Sequence, residues 1–184
     1  IRAAGGVAEA LALDLSSAAE VAQTLDRLTA IHTVVYAAGP DVPMVHLSRV
    51  EPDVLRAQLE ADVLTFANLL HAALPHLRKT RGALVAVTTA ANTRVMSRDI
   101  LSAAPKAAVD SLVRQTAVEE GRFGVRANSV GVGFTQAGLA ARLVESGAFD
   151  QRALEVVTAA IPLRRYGTAE EVANAVCFLA SDLA

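Results

Sequence analysis

Apolar and polar positions alternate between two periods along this chain. Strand-length apolar runs are separated by longer stretches with helical spacing. AEALAL at 8–13 reads as a short strand closed by Asp14, IHTVVY at 31–36 as a second, ALVAVT at 83–88 as a third and VRANSV at 125–130 as a fourth. Between the first two, Ser17-x-x-Glu20 has the form of a capping box, and Val21, Leu25 and Leu28 follow at i, i+4, i+7. A second box, Ser48-x-x-Glu51, precedes Pro52. From there Leu55, Leu59, Val63, Phe66, Leu70, Leu74 and Leu77 predict one long helix over 48–79, bent near Pro75. A helix from about Ala103 to Glu120 stops at Gly121 and Gly124. Leu139 to Ala160 predicts one or two short helices broken near Gly147, and Thr168-x-x-Glu171 caps a last helix through Ala180.

The order βαβαβαβ followed by helices predicts a doubly wound parallel sheet, a three-layer α/β/α domain of Rossmann-like type over 1–184. In such sheets ligands sit beyond the carboxyl ends of the strands. Those ends are Asp14, Ala37 to Gly39, Thr88 to Ala90 and Gly131 to Thr135. IRAAGG at the start reads as a helix terminus with a glycine stop, so a native segment is expected ahead of Ile1.

Composition narrows the function classes. With 53% hydrophobic and 20% charged residues and a net charge of −2, the chain reads as globular, without the basic excess that holds nucleic acid. No apolar run approaches the roughly 18 residues of a membrane span. The single cysteine, Cys177, excludes an internal disulfide. It sits among Val172, Ala175, Val176 and Leu179 and is expected to be a buried structural thiol, which fits a reducing cytoplasm. His32, His46, His71 and His76 show no metal-ligand spacing, and the hydrolase elbow G-x-S-x-G does not occur.

Candidate chemistry gathers between Ala83 and Gln115. Thr89 ends the third strand, Ser102 follows 13 residues on, and Lys106 four residues later at a helix start. This layout resembles the catalytic segment of the short-chain dehydrogenase/reductase family, which places a serine at the strand end and Tyr-x-x-x-Lys on the next helix. Further motifs carry the resemblance over nearly the whole chain. IHTVVYAAG is similar to the strand ending Asn-Asn-Ala-Gly, with Tyr36 and Ala37 at the asparagines. ALALDL resembles the strand whose terminal Asp-Val contacts adenine, here Asp14-Leu15. GVRANSVGVGF resembles G-I-R-V-N-x-V-x-P-G, with Val132 at the proline. IPLRRYGTAEEVANAVCFLASD matches the C-terminal stretch. The nearest general resemblance is to 3-oxoacyl-carrier-protein reductases.

The resemblance implies an oxidoreductase that uses NAD or NADP and interconverts a ketone and an alcohol. It implies cofactor contacts at Asp14, Leu15, Ala37, Ala38, Gly39, Lys106, Gly133 and Thr135. It implies catalytic positions at Thr89 (serine), Ser102 (tyrosine), Lys106 (lysine) and Asp62 (the relay asparagine). Where the family donates a proton from a phenol, this chain has an aliphatic hydroxyl, a far weaker and shorter acid. Ser102 also reads as a helix N-cap, with Pro105 in the first turn. Asp62 accepts but cannot donate when ionised, so pairing with Lys106 is an alternative to a relay. Tyr36 is a conceivable donor from another direction, and Tyr166 reads as structural.

Two parts of the family pattern are absent: the Thr-Gly-x-x-x-Gly-x-Gly phosphate loop with the first strand–helix unit, and the last strand. Gly131-Val-Gly133 does not replace that loop, because a dinucleotide fingerprint needs Gly or Ala where Gln136 stands. The residues that choose NAD over NADP would lie ahead of Ile1, and the substrate loop is placed at 133–147. The resemblance also implies a homodimer or homotetramer built on the helix over 48–79 and the one after Ser102. An alternative is a catalytically degenerate subunit that binds cofactor or pairs with an active homologue.

Overall fold

Three parallel strands form the sheet: β1 (Thr33–Tyr36), β2 (Ala83–Thr89) and β3 (Arg126–Val132), in the spatial order β1-β2-β3. In this computed structural model the described residues are 1–135, 137–145, 147 and 151–184. Gln136 and part of the 133–147 loop lie outside them. The register pairs Tyr36 with Ala86 and Thr89 with Val132, so β2 and β3 end at one level and β1 ends three residues short of them.

β2 is central and its sequence says why. Ala83, Leu84, Val85 and Ala86 are fully buried, as expected of a strand covered on both faces. Gly82 introduces it at a point where a Cβ would lie 2.0 Å from the carbonyl oxygen of His32, a close approach only glycine permits. One face carries α3 (Thr65–Thr80) and α4 (Ile100–Glu120). Their Phe66, Leu77, Val109 and Val113 close over Val34, Tyr36, Leu84 and Ala86. α1 (Ala18–Asp26) packs on α3, and α7 (Ala169–Ala180) covers β2 and β3 from the other side. α5 (Gly138–Glu145) and α6 (Gln151–Ala160) fill the expected two-helix stretch, with Gly147 in a left-handed conformation between them.

Several expectations are corrected. Residues 8–13 form no strand, because no neighbouring strand offers them a ladder; Val7 is fully exposed and Leu11 60% exposed. The predicted helix over 48–79 is three segments: α2 (Pro52–Leu59), a π turn (Glu60–Leu64) and α3. Ser48 lies in a separate 3₁₀ turn and caps nothing, since Pro52 at the first helical position sets the start and Glu51 becomes the N-cap. The irregularity therefore falls at Asp62, while the helix continues through Pro75. α4 begins at Ile100 with Asp99 as N-cap, so Ser102 is inside the helix and caps nothing, and Pro105 lies beyond the first turn. Cys177 is exposed: the inward stripe of α7 turns about Val176, and the next residue is rotated about 100° away from it.

The Thr168 box forms as expected, with Thr168 Oγ1 accepting from Glu171 N and Glu171 Oε2 accepting from Thr168 N. The Ser17 box is half made, with only Ser17 accepting from Glu20 N. Among the described residues no helix is long and apolar enough to cross a membrane.

Candidate active site

The carboxyl end of β1, the π turn and the second turn of α4 meet at Lys106. Its Nζ donates to Asp62 Oδ1 at 2.8 Å and to the Ala38 carbonyl at 3.2 Å, and lies 5.3 Å from the centre of the Tyr36 ring. Both charges are largely withdrawn from water: the side chains are 15% (Lys106) and 4% (Asp62) exposed. A cation near a helix N-terminus opposes the helix dipole. Asp62 supplies the compensating charge, so the pairing read as an alternative in the sequence is the one observed.

Asp62 is itself held from below. The Tyr36 hydroxyl lies 2.9 Å from the Asp62 carbonyl oxygen, 3.2 Å from Oδ1 and 2.9 Å from Thr65 Oγ1. Thr65 Oγ1 donates back to the Ala61 carbonyl at 2.8 Å. The π turn widens the helix by one residue at this point, which turns the Asp62 side chain inward. Tyr36 is 1% exposed and packs on Phe66 at 5.0 Å. Burial pushes its phenol up to about 12, against a smaller lowering from the Thr65 hydrogen bond. A phenol so placed is a structural donor, which corrects the idea that Tyr36 delivers a proton to substrate. The sequence held one signal for this network: Tyr36 replaces the first asparagine of the strand-end motif.

The remaining candidates fall into two groups. Gly39 sits against Lys106, where a Cβ would be 3.4 Å from Nζ, and Ala37 to Gly39 present exposed backbone. Thr89 ends β2 beside Val132, one residue before Gly133, and its Oγ1 accepts from Ala91 N at 3.2 Å. By alternation it is Thr88 that shares the Tyr36 face. Thr88 is 5% exposed and its hydroxyl has no hydrogen-bond partner among the described residues; its place at the strand end was its sole mark in the sequence. Ser102 stands one turn before Lys106 on α4, and no hydrogen bond of its hydroxyl is found among the described residues.

Asp14 and Leu15 lie apart from Lys106, before α1. There the Asp14 carboxylate accepts from Ser16 N at 2.9 Å, and Asn68 Nδ2 donates to the Leu15 carbonyl at 3.0 Å. Thr135 donates to the Ala137 carbonyl at 3.0 Å while its backbone bridges to Gly167. Tyr166 is structural, donating to the Leu154 carbonyl at 3.3 Å and packing on Phe134.

A nicotinamide dinucleotide fits the residues that are present. Lys106 has three N–H donors and gives two to Asp62 and Ala38, leaving one for a ribose hydroxyl beside bare backbone at Ala38 and Gly39.

A family model described as enoyl-(acyl carrier protein) reductase matches residues 1–184. Mouse (Mus musculus) L-fucose dehydrogenase is 33% identical over 88% of this chain and 59% of its own length. Acetoacetyl-CoA reductase from Synechocystis is 30% identical over 98% of this chain and 75% of its own. Among solved structures, an NADPH-bound short chain oxidoreductase from Pseudomonas aeruginosa PAO1, described as containing an atypical catalytic center, superposes with a TM-score of 0.82 at 25% identity, covering 93% of this chain and 68% of that one. The chain belongs to the short-chain dehydrogenase/reductase family. It spans about three-fifths of the length of the L-fucose dehydrogenases it matches.

Proposed function

We propose that this chain is the catalytic part of an NAD(P)-dependent oxidoreductase that interconverts a ketone and an alcohol, with a non-standard proton-donating group. The observation that carries the reading is Lys106, fixed at the strand ends by Asp62 and the Ala38 carbonyl with one donor to spare. In this reading the bound nicotinamide supplies or accepts the hydride. Lys106 binds the nicotinamide ribose. Ala37, Ala38 and Gly39 let the cofactor approach the backbone closely, and Gly133 opens the loop beyond β3. Thr89 donates to the carbonyl oxygen as charge develops there. Asp62 holds Lys106 in place and is not a proton relay. Asp14 and Leu15 face the adenine end, and Thr135 lies toward the cofactor's nicotinamide side. The relatives' substrates, a sugar and an acyl thioester, point to small polar carbonyl compounds as the class to screen. A homodimer or homotetramer in the cytoplasm completes the proposal.

One observation favours a second reading, a degenerate subunit that binds cofactor or an active homologue without turnover. Ser102 replaces the phenol, and both tyrosines among the described residues are engaged elsewhere. A fluorescence titration of the full-length protein with NADPH and NADH tests the first reading. Saturable quenching or energy transfer is expected. A folded protein that binds neither nucleotide sinks it and directs attention to a partner subunit.

A further inference from the structure

Two residues at the candidate site depart from the family pattern, and they depart toward each other. The resemblance sets asparagines where this chain has Tyr36 and Asp62. One ends β1 and the other lies in the π turn, 26 residues on, and the fold brings them into contact.

The Tyr36 hydroxyl has a single proton. It lies 2.9 Å from the Asp62 carbonyl oxygen and 3.2 Å from Oδ1 of the same residue. A donor set between the backbone and side-chain oxygens of one residue fixes how that side chain is turned. Oδ1 is also the oxygen that takes Lys106 Nζ, at 2.8 Å, so phenol and ammonium converge on one carboxylate oxygen. Thr65 completes the arrangement. Its hydroxyl, 2.9 Å from that of Tyr36, donates to the Ala61 carbonyl at 2.8 Å, and its N–H donates to the Asp62 carbonyl. A π turn takes its carbonyls out of the ordinary i→i−4 ladder. The Tyr36 hydroxyl therefore secures both the turn that presents Asp62 and the carboxylate presented.

The rest of the tyrosine bears on Lys106 directly. Its ring centre is 5.3 Å from Nζ, within reach of a cation–π contact. Phe66 backs the ring at 5.0 Å, and the whole residue is buried. Because burial pushes the phenol up to about 12, the hydroxyl is a donor throughout the neutral range.

We infer that Tyr36 is a positioning residue of this site: its hydroxyl sets the Asp62 carboxylate against Lys106, and so sets where Lys106 meets the nicotinamide ribose. The nucleotide part of this inference rests on the oxidoreductase reading above; the placing of Lys106 does not. Tyr36 touches neither cofactor nor substrate and acts only through Asp62 and Lys106. Tyr36→Phe isolates the hydroxyl, since the ring and its contact with Nζ are kept. Asp62 then loses its second donor, and Lys106 is held less closely.

The test uses the full-length protein and two readouts. One is the rate at which acetic anhydride labels Lys106, by peptide mass spectrometry, relative to Lys79, an exposed lysine on α3 that serves as the internal reference. The other is fluorescence titration with NADPH and NADH. Tyr36→Phe should raise the relative labelling of Lys106 about fivefold and weaken nucleotide binding about tenfold, the size of one hydrogen bond to a charged group. Tyr36→Phe with Asp62→Asn should be no worse than Asp62→Asn alone, because the hydroxyl acts through the carboxylate. Arg78→Lys, which loosens the far ends of α3 and α4, should move neither readout. A folded Tyr36→Phe protein with unchanged Lys106 labelling overturns the inference. So do effects of the two substitutions that simply add, or an Arg78→Lys response of the same size. If Tyr36→Phe does not fold, rescue of folding by Asp62→Asn supports the coupling, and failure of the double variant overturns it. Labelling needs no nucleotide. Binding of neither NADPH nor NADH therefore removes the oxidoreductase reading, while the labelling still decides whether Tyr36 places Lys106.

Discussion

Lys106 and Asp62 are expensive to bury separately and tolerable together. Removing one partner of a withdrawn ion pair leaves the other charge unsolvated, which costs about 3–5 kcal/mol. Lys106→Ala should therefore destabilise the fold by that order in urea titrations and weaken nucleotide binding by roughly tenfold. Asp62→Asn keeps an acceptor for Lys106 and should cost less. Asp99 works in the opposite direction. Its carboxyl is raised, so the folded state holds the proton more tightly than the unfolded chain does, and stability falls as pH climbs from about 4 through about 6. Asp99→Asn removes that loss. It should gain about 1–3 kcal/mol at pH 8, and little at pH 4, in paired denaturation curves. Ser102→Tyr puts a phenol on the Lys106 face of α4, and should raise carbonyl reduction, read from initial rates with saturating reduced nucleotide. At this scale the spacing from Thr89 to Ser102 to Lys106 was legible in the sequence. The engagement of Tyr36 was not, because it depends on a π turn 26 residues away that brings Asp62 over the ring.

Helices are fixed here as much by their ends as by their stripes. Arg78 of α3 donates to both oxygens of Glu120 at the end of α4, at 2.5 and 2.7 Å, and also stacks 4.6 Å from the Phe123 ring centre. Glu120 is 6% exposed, so Arg78→Ala leaves a buried carboxylate unpaired and should cost about 3 kcal/mol or more. Arg78→Lys keeps the charge, loses the two-pronged geometry and should fall between. The Arg78 hydrogen bonds hold the Glu120 carboxyl below its ordinary range. The clamp is therefore fully present above the unfolded carboxylate value near 4.5 and is lost as pH falls below it. Acid unfolding of the wild type should be steeper than that of Arg78→Ala. The capping boxes show where sequence reading of elements works. Thr168-x-x-Glu171 opens a helix with no competing signal and forms completely. Ser48-x-x-Glu51 competes with Pro52, whose fixed φ suits the first helical position, and loses. Residues 8–13 carry strand-like composition, but a strand is defined by its neighbour and local composition cannot supply one.

The sheet and its helices place the candidate site at one end and leave apolar surface on the outer helices. The order of motifs was enough to read the doubly wound class, since three of the four expected strands form in the expected order. Resemblance alone proposes which surfaces meet other chains, because an exposed apolar residue looks the same in sequence as a buried one. The structure now supplies that distinction. Val54 on α2, Leu59 and Leu64 about the π turn, and Val118 on α4 are 41%, 37%, 55% and 79% exposed. They belong to the two helical regions that the family resemblance assigns to subunit contact. Val118 is the most exposed of the four and holds up nothing in the core, so Val118→Asp should leave folding and thermal stability nearly unchanged. If α4 forms the subunit contact, the substitution buries a charge at the interface without a partner and should convert the oligomer to monomers by light scattering at micromolar concentration. An unchanged mass for Val118→Asp together with Leu64→Asp would remove α4 and the π turn from the interface. Monomers that still bind nucleotide would show that the Lys106 site is complete within one chain.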